Sequence, residues 1–207
     1  MQSYFKSFIN NTFINNTTYD IENYVQNVSK IGDGNTFEKP VNIKSGIITE
    51  NATWKKIGVD YIIDGPVEIK GTTGPILTLE PGTTLKFTTS GGLEIAYDEN
   101  GGLNAVGSST EKITFTSSAS VPSKGGWKGI FFYENTTSST MDYCIVEYAG
   151  GDWPNTNIRI ESSNVTISNT IVRYSKEYGI YIDDTADPII NSVTYSDNTT
   201  DLFDEAP

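Results

Sequence analysis

From Val41 onward the apolar positions come in short alternating runs, each bounded by Gly, Asn, Asp or Pro. They are Ile47-Ile48, Tyr61-Ile62-Ile63, Val67-Glu68-Ile69, Ile76-Leu77-Thr78-Leu79 and Thr84-Leu85-Lys86-Phe87. The series continues through Leu93-Glu94-Ile95, Ile113-Thr114-Phe115 and Ile130-Phe131-Phe132. Apolar residues at every second position mark strands with one buried side. These strands are too short and too closely spaced for βαβ units, which leaves a sandwich, an antiparallel barrel or a β-helix.

Residues 1–40 read differently, as an Asn/Thr-rich segment around scattered aromatic residues. Within it Ile21, Tyr24, Val25 and Val28 fall at i, i+3, i+4 and i+7, with Asp20 at an N-cap position, Lys30 in the last turn and Gly32 at C′. The spacing predicts a short helix over 21–30 whose single apolar stripe caps one end of a sheet-built rod. It also divides the chain at about residue 40, with the strand region occupying 41–207.

A repeat selects among the architectures, because stacked folds show self-similarity at a period of a few tens of residues. The segments Tyr143-Cys144-Ile145-Val146-Glu147-Tyr148, Asn169-Thr170-Ile171-Val172-Arg173-Tyr174 and Asn191-Ser192-Val193-Thr194-Tyr195-Ser196 align, and Ile158, Ile180 and Leu202 recur at a constant step of 22. Stacked in register, they predict an aliphatic interior column of Ile145, Ile171 and Val193, and a small-residue column of Cys144, Thr170 and Ser192. Asn169 falls over Asn191, Tyr148 over Tyr174, and Glu147 against Arg173. Parity alone leaves open whether that last pair faces in or out. The expected fold is an all-β, single-stranded parallel β-helix of about six coils with a short N-terminal capping helix.

Residues 45–203 resemble the pectate-lyase-like right-handed parallel β-helix repeat family, including its extracellular and surface repeat proteins in bacteria and archaea. The resemblance rests on Tyr61-Ile62-Ile63-Asp64-Gly65, the stretch Leu77 to Phe87 with its Glu80-Pro81-Gly82 turn, Ile113-Thr114-Phe115-Thr116-Ser117 and Gly126-Trp127-Lys128-Gly129-Ile130. It implies the rod, and it leaves the activity open, since one such rod carries lyases, hydrolases, adhesins and inert shafts.

Charge and composition narrow the chemistry. A net charge of -12 disfavours nucleic acid and anionic membrane surfaces, and no apolar stretch approaches the ~20 residues of a membrane span. There is no histidine and Cys144 is the lone cysteine, which excludes disulfide frameworks, thiolate zinc clusters and His-dependent triads. Eight Asn-x-Ser/Thr sequons agree with an exported protein, although Asn/Thr runs generate sequons by themselves, and Met1 to Asn11 carries no signal-peptide core.

Lyases of the resembled family hold calcium with several carboxylates and abstract a proton with Arg or Lys, which makes Asp183, Asp184 and Asp187 weak Ca2+ candidates beside Arg159. The hydrolase branch of the family adds a His-Gly and an Arg-Ile-Lys element. This chain lacks the first, and has Glu161 where the second needs lysine. Surface acids on so acidic a chain are more simply solvated turns, so no carboxylate pair is expected to converge with Arg or Lys in a groove. The aromatic residues Trp127, Tyr133, Trp153, Tyr174 and Tyr178 are the glycan-binding candidates, because exposed rings stack on sugars. The plainer alternative is that they pack between coils.

These readings combine into a secreted or cell-surface module, structural or adhesive and non-catalytic, that displays a surface for a polysaccharide, a cell-surface glycan or another protein. A Ca-dependent polysaccharide lyase and a self-assembling filament subunit with end-to-end stacking are the alternatives. No cofactor is expected beyond weak Ca2+.

Overall fold

A computed structural model describes residues 6–206; residues 1–5 and 207 lie outside it. The chain runs through β1 (Ile21–Tyr24), a 3-10 helix (Val25–Lys30), β2 (Val41–Ile48), β3 (Ala52–Trp54), β4 (Tyr61–Ile69), β5 (Ile76–Leu79) and β6 (Thr84–Phe87). It continues with β7 (Gly92–Ile95), β8 (Gly102–Val106), β9 (Ile113–Ser117), β10 (Ile130–Phe132), β11 (Ser139–Asp142), β12 (Cys144–Glu147) and β13 (Thr156–Ile160). The last strands are β14 (Val165–Ser168), β15 (Ile171–Arg173), β16 (Tyr178–Ile182), β17 (Ile189–Asn191), β18 (Thr194–Ser196) and β19 (Thr200–Asp204).

From β5 onward each strand pairs in parallel with the strand three elements later, so the chain closes one coil on every third strand. Face A holds β6, β9, β12, β15 and β18, and face B holds β7, β10, β13, β16 and β19. The long β4 serves both, with Tyr61–Ile63 pairing β6 and Pro66–Ile69 pairing β7, and it turns the corner at Gly65, whose φ of 110° favours glycine. Face C is the six-stranded sheet β3-β5-β8-β11-β14-β17, which makes six coils.

Alternation fills the interior. Leu85, Phe87, Phe115, Val146 and Val172 point inward from face A, Leu93, Ile95, Ile130, Phe132, Ile158 and Ile180 from face B, and Leu77, Leu79, Leu103, Met141 and Ile167 from face C. All are essentially without exposed surface. In such a packed interior, truncating one Leu or Ile to Ala costs about 2–5 kcal/mol.

The sequence-derived columns hold in part. Ile158, Ile180 and Leu202 are register partners, as are Glu147 and Arg173, and the Tyr148 and Tyr174 rings stack at 4.8 Å. Ile171, however, pairs with Thr194 and not Val193, and Ser168, not Asn169, pairs with Asn191. The interior column of face A is Val146 and Val172, while Ile145 and Ile171 lie on the partly exposed side. The cause is at the corner. Tyr143, Asn169 and Ser192 take left-handed φ values of 49°, 45° and 54°, and this bend resets the alternation so that Cys144 and Thr170 turn inward.

The one-residue slip has a compensated origin. Five residues separate the paired positions Ile160 and Thr166, but six separate Ile182 and Ile189 in the next coil. The following corner returns the difference, with four residues between Arg173 and Tyr178 and three between Ser196 and Thr200. The step of 22 on face B is therefore preserved while face A moves by 23.

The helix expected over 21–30 is corrected. Ile21–Tyr24 form β1, paired in parallel with β2, and only Val25–Lys30 are helical, as a 3-10 turn that buries Val25, Asn27 and Val28. Pairing of Ile21, Asn23 and Tyr24 with Val41, Ile43 and Lys44 competes with the helical period and wins. Parallel bridges Phe8↔Ile31 and Thr12↔Thr36 carry the stack further, so residues 8–36 pack as part of the rod.

Candidate functional site

Face B gathers the chemistry. Its outward column runs Glu68, Glu94, Phe131, Arg159, Tyr181 and Phe203, each the register partner of the next. Two positions further along the strands lie Lys70, Tyr133, Glu161 and Asp183. Alternation thus lines up aromatic and charged side chains along the rod, above the buried Leu93, Ile130, Ile158 and Ile180.

The part nearest the early coils is ionic. Lys70 bridges Glu68 at 2.7 Å and Asp98 at 2.8 Å, and Lys128 lies 4.0 Å from Glu94 and 3.6 Å from Asp152. Burial holds the Glu94 carboxyl above its ordinary value despite Lys128. Tyr97 meets Tyr133 edge-on at 4.9 Å, and burial together with Glu94 and Glu161 pushes the Tyr133 hydroxyl up to about 12.

The later coils carry an aromatic cluster. Tyr178, Tyr181 and Phe203 lie within 5.2–5.4 Å of one another, and Trp153 is 6.3 Å from Tyr181. Trp153 sits in the loop between faces A and B, where its backbone N–H donates to Asp152 Oδ1, and it is 66% exposed. Beside it Arg159 Nη2 reaches Asp183 at 2.8 Å and Glu161 at 3.0 Å. Burial raises the Glu161 carboxyl above its ordinary value, and burial with Glu205 and Asp183 pushes the Tyr181 hydroxyl up to about 12.

Several expectations are corrected here. Trp127 is no surface ring: it is fully buried, stacked on Phe87 at 4.1 Å, with Nε1 donating to the Glu147 carbonyl at 2.9 Å. Tyr174 belongs to its stack with Tyr148 at the corner after face A, with the Arg173 guanidinium 5.4 Å from its ring. Tyr133, Trp153 and Tyr178 do lie on or beside face B. Asp183, Asp184 and Asp187 do not converge, because Asp183 is engaged by Arg159 while Asp184 and Asp187 stay exposed in the turn. Among the described residues no group of three or more His, Cys, Asp or Glu is placed to hold a metal.

Glu161 and Asp183 both bind Arg159, as ion pairs on the outward side of face B. Phe131, Phe203, Glu94 and Glu161 were missed as site residues. One signal was available, because the residues that follow Ile158, Ile180 and Leu202 are Arg159, Tyr181 and Phe203, and alternation turns each of them outward.

No helix among the described residues is long and apolar enough to cross a membrane. No curated protein and no solved structure matches the chain. A family model described as a right handed beta helix region matches residues 67–202, more than half of the chain and spanning both halves of the face B array. With parallel coils throughout that span, the chain belongs to the right-handed β-helix family.

Proposed function

We propose that the protein is a non-catalytic module, secreted or displayed at a cell surface, whose face B binds glycans. The observation that carries this reading is Trp153, a largely exposed ring set beside Tyr181 and the Arg159 guanidinium. Rings supply stacking area for the C–H faces of sugars, and neighbouring charged groups bond their hydroxyls. Acids outnumber bases around the cluster, with Asp152, Glu161, Asp183 and Glu205 against Arg159 and Lys128, so the array favours neutral or amino sugars over uronates. A glycan array probed with wild type and Trp153→Ala tests the reading. Signals confined to polyuronates, or an unchanged pattern in the variant, overturn it.

A second reading, a polysaccharide-active enzyme of the pectate-lyase-like kind, is favoured by one arrangement. Glu161, whose carboxyl burial holds above its ordinary value, shares Arg159 with Asp183. Lyase and glycosidase screens with and without Ca2+ decide it: turnover lost in both Arg159→Ala and Glu161→Gln supports the enzyme, and absence of turnover removes it.

A further inference from the structure

Face C carries an array that face B does not use. Thr53, Thr78, Asn104, Thr140 and Thr166 point outward from five of its strands and are register partners on five successive coils. At the usual strand spacing they form a row about 19 Å long. All five are at least partly exposed, and their side chains find no hydrogen-bond partner among the described residues. Five groups able to donate and accept are thus left in line, facing solvent.

The surface beside the row is concave. Ile76 pairs with Gly102, which leaves a rung without a side chain, and a Cβ there would come within 2.9 Å of Thr137 Oγ1. A trough of about 410 Å³ follows, with Ala52 and Ile76 supplying apolar wall and Thr53, Thr78, Asn104 and Thr140 the polar one. That volume falls in the range of small-ligand sites. Every residue lining it is uncharged and non-aromatic, on a chain of net charge -12.

We infer that this trough binds a neutral, hydroxyl-rich chain, an uncharged oligosaccharide lying along the row. A charged ligand would surrender hydration there without meeting a counter-charge. A flat crystalline surface such as ice matches a regular rank of one residue type, which Asn104 interrupts. A neutral sugar chain offers hydroxyls to the row and C–H surface to Ala52 and Ile76. The site is independent of face B, with different residues and a different face of the rod.

Calorimetric titration of the whole chain with cellohexaose, xylohexaose and mannohexaose, and with polygalacturonate as the charged control, tests it. The double variant Thr78→Val/Thr140→Val removes two hydroxyls, keeps side-chain shape and suits a strand. It should weaken binding of the best neutral hexasaccharide about tenfold or more. Asn104→Asp, which puts a charge in the trough, should weaken it as well, and both losses should persist in a Trp153→Ala background, where the face B contribution is removed. Far-UV circular dichroism confirms that each variant is folded. Unchanged affinity in both trough variants, losses that vanish in the Trp153→Ala background, stronger binding of polygalacturonate, or no measurable binding of any neutral hexasaccharide would each overturn the inference.

Discussion

The Arg159 guanidinium lies 5.0 Å from the centre of the Trp153 ring while its Nη2 donates to Asp183 Oδ2 at 2.8 Å. The arginine ties an exposed ring on a loop to the turn that follows β16 in the adjacent coil, so the ring is ordered before any ligand arrives. Trp153→Ala should cost about 1 kcal/mol or more of glycan affinity, and Trp153→Phe should restore part of it. Arg159→Ala should weaken the same binding without deleting the ring, because the loop loses its tether. Titration of the three variants against the best array ligand measures this, and equal affinity throughout would place the site elsewhere.

Burial holds the carboxyls of Glu94 and Glu161 above the ordinary value of 4.5. A raised folded pKa means that the folded chain binds the proton more tightly than the unfolded one. The stability this contributes is complete below the ordinary carboxyl value and is lost as pH rises through the folded pKa. Glu94→Gln removes the titration and keeps the shape. Its melting temperature should exceed wild type near neutral pH, with the advantage shrinking as the medium is acidified. Melting curves across the acid range decide the sign, and a variant less stable than wild type at neutral pH would mean that Lys128, 4.0 Å away, outweighs burial.

Asn157 is a buried clamp at the corner between faces A and B. Its Oδ1 accepts from the Ala149 N–H at 2.9 Å, and its Nδ2 donates to the Arg173 carbonyl at 2.9 Å and the Val146 carbonyl at 3.4 Å. Asn157→Ala orphans a buried N–H and weakens the hold on two carbonyls, at an expected cost of about 3 kcal/mol in denaturant unfolding. Asn157→Asp keeps the acceptor and loses the donors, so it should also destabilise. A loss under about 0.5 kcal/mol in the alanine variant would show that water replaces the clamp.

The rod and its coil number were legible because alternation and a period near two dozen residues survive in the text from Leu77 to Phe203. The register of face A was not. The extra residue between Ile182 and Ile189 is cancelled before Thr200, so the constant step from Ile158 to Leu202 carries no trace of the slip that puts Thr194 opposite Ile171. Trp127 stood in the sequence between two readings, a sugar-stacking ring and a ring packed between coils, and the stacked Phe87 of another coil shows it to be core. The face C row lay hidden because its steps are unequal: 25, 26, 36 and 26 residues separate Thr53, Thr78, Asn104, Thr140 and Thr166. Loop length between coils varies, and strand pairing alone brings the hydroxyls into line.

Among the described residues β17, β18 and β19 are paired on one side only, and Ile189 and Leu202 there are 62% and 43% exposed. End-to-end stacking through this coil is a proposal with a direct readout. Light scattering across a concentration series should show association that Leu202→Glu suppresses, since a charge on an exposed strand edge opposes pairing. A chain that stays monomeric at every concentration would set self-assembly aside.

The turn that gains a residue near Thr185 and the corner that gives it back after Ser196 show what kind of object this is. Each coil behaves as a loop of fixed circumference whose corners can trade length while the three walls stay level. Grafting a foreign peptide at exposed Thr185 should therefore leave the neighbouring rungs in place, and the same graft at Ile180 should unseat the coils on either side. A lineage built this way can acquire new loops at its edges without renegotiating its interior, and a protein engineer can use the same three corners as attachment points.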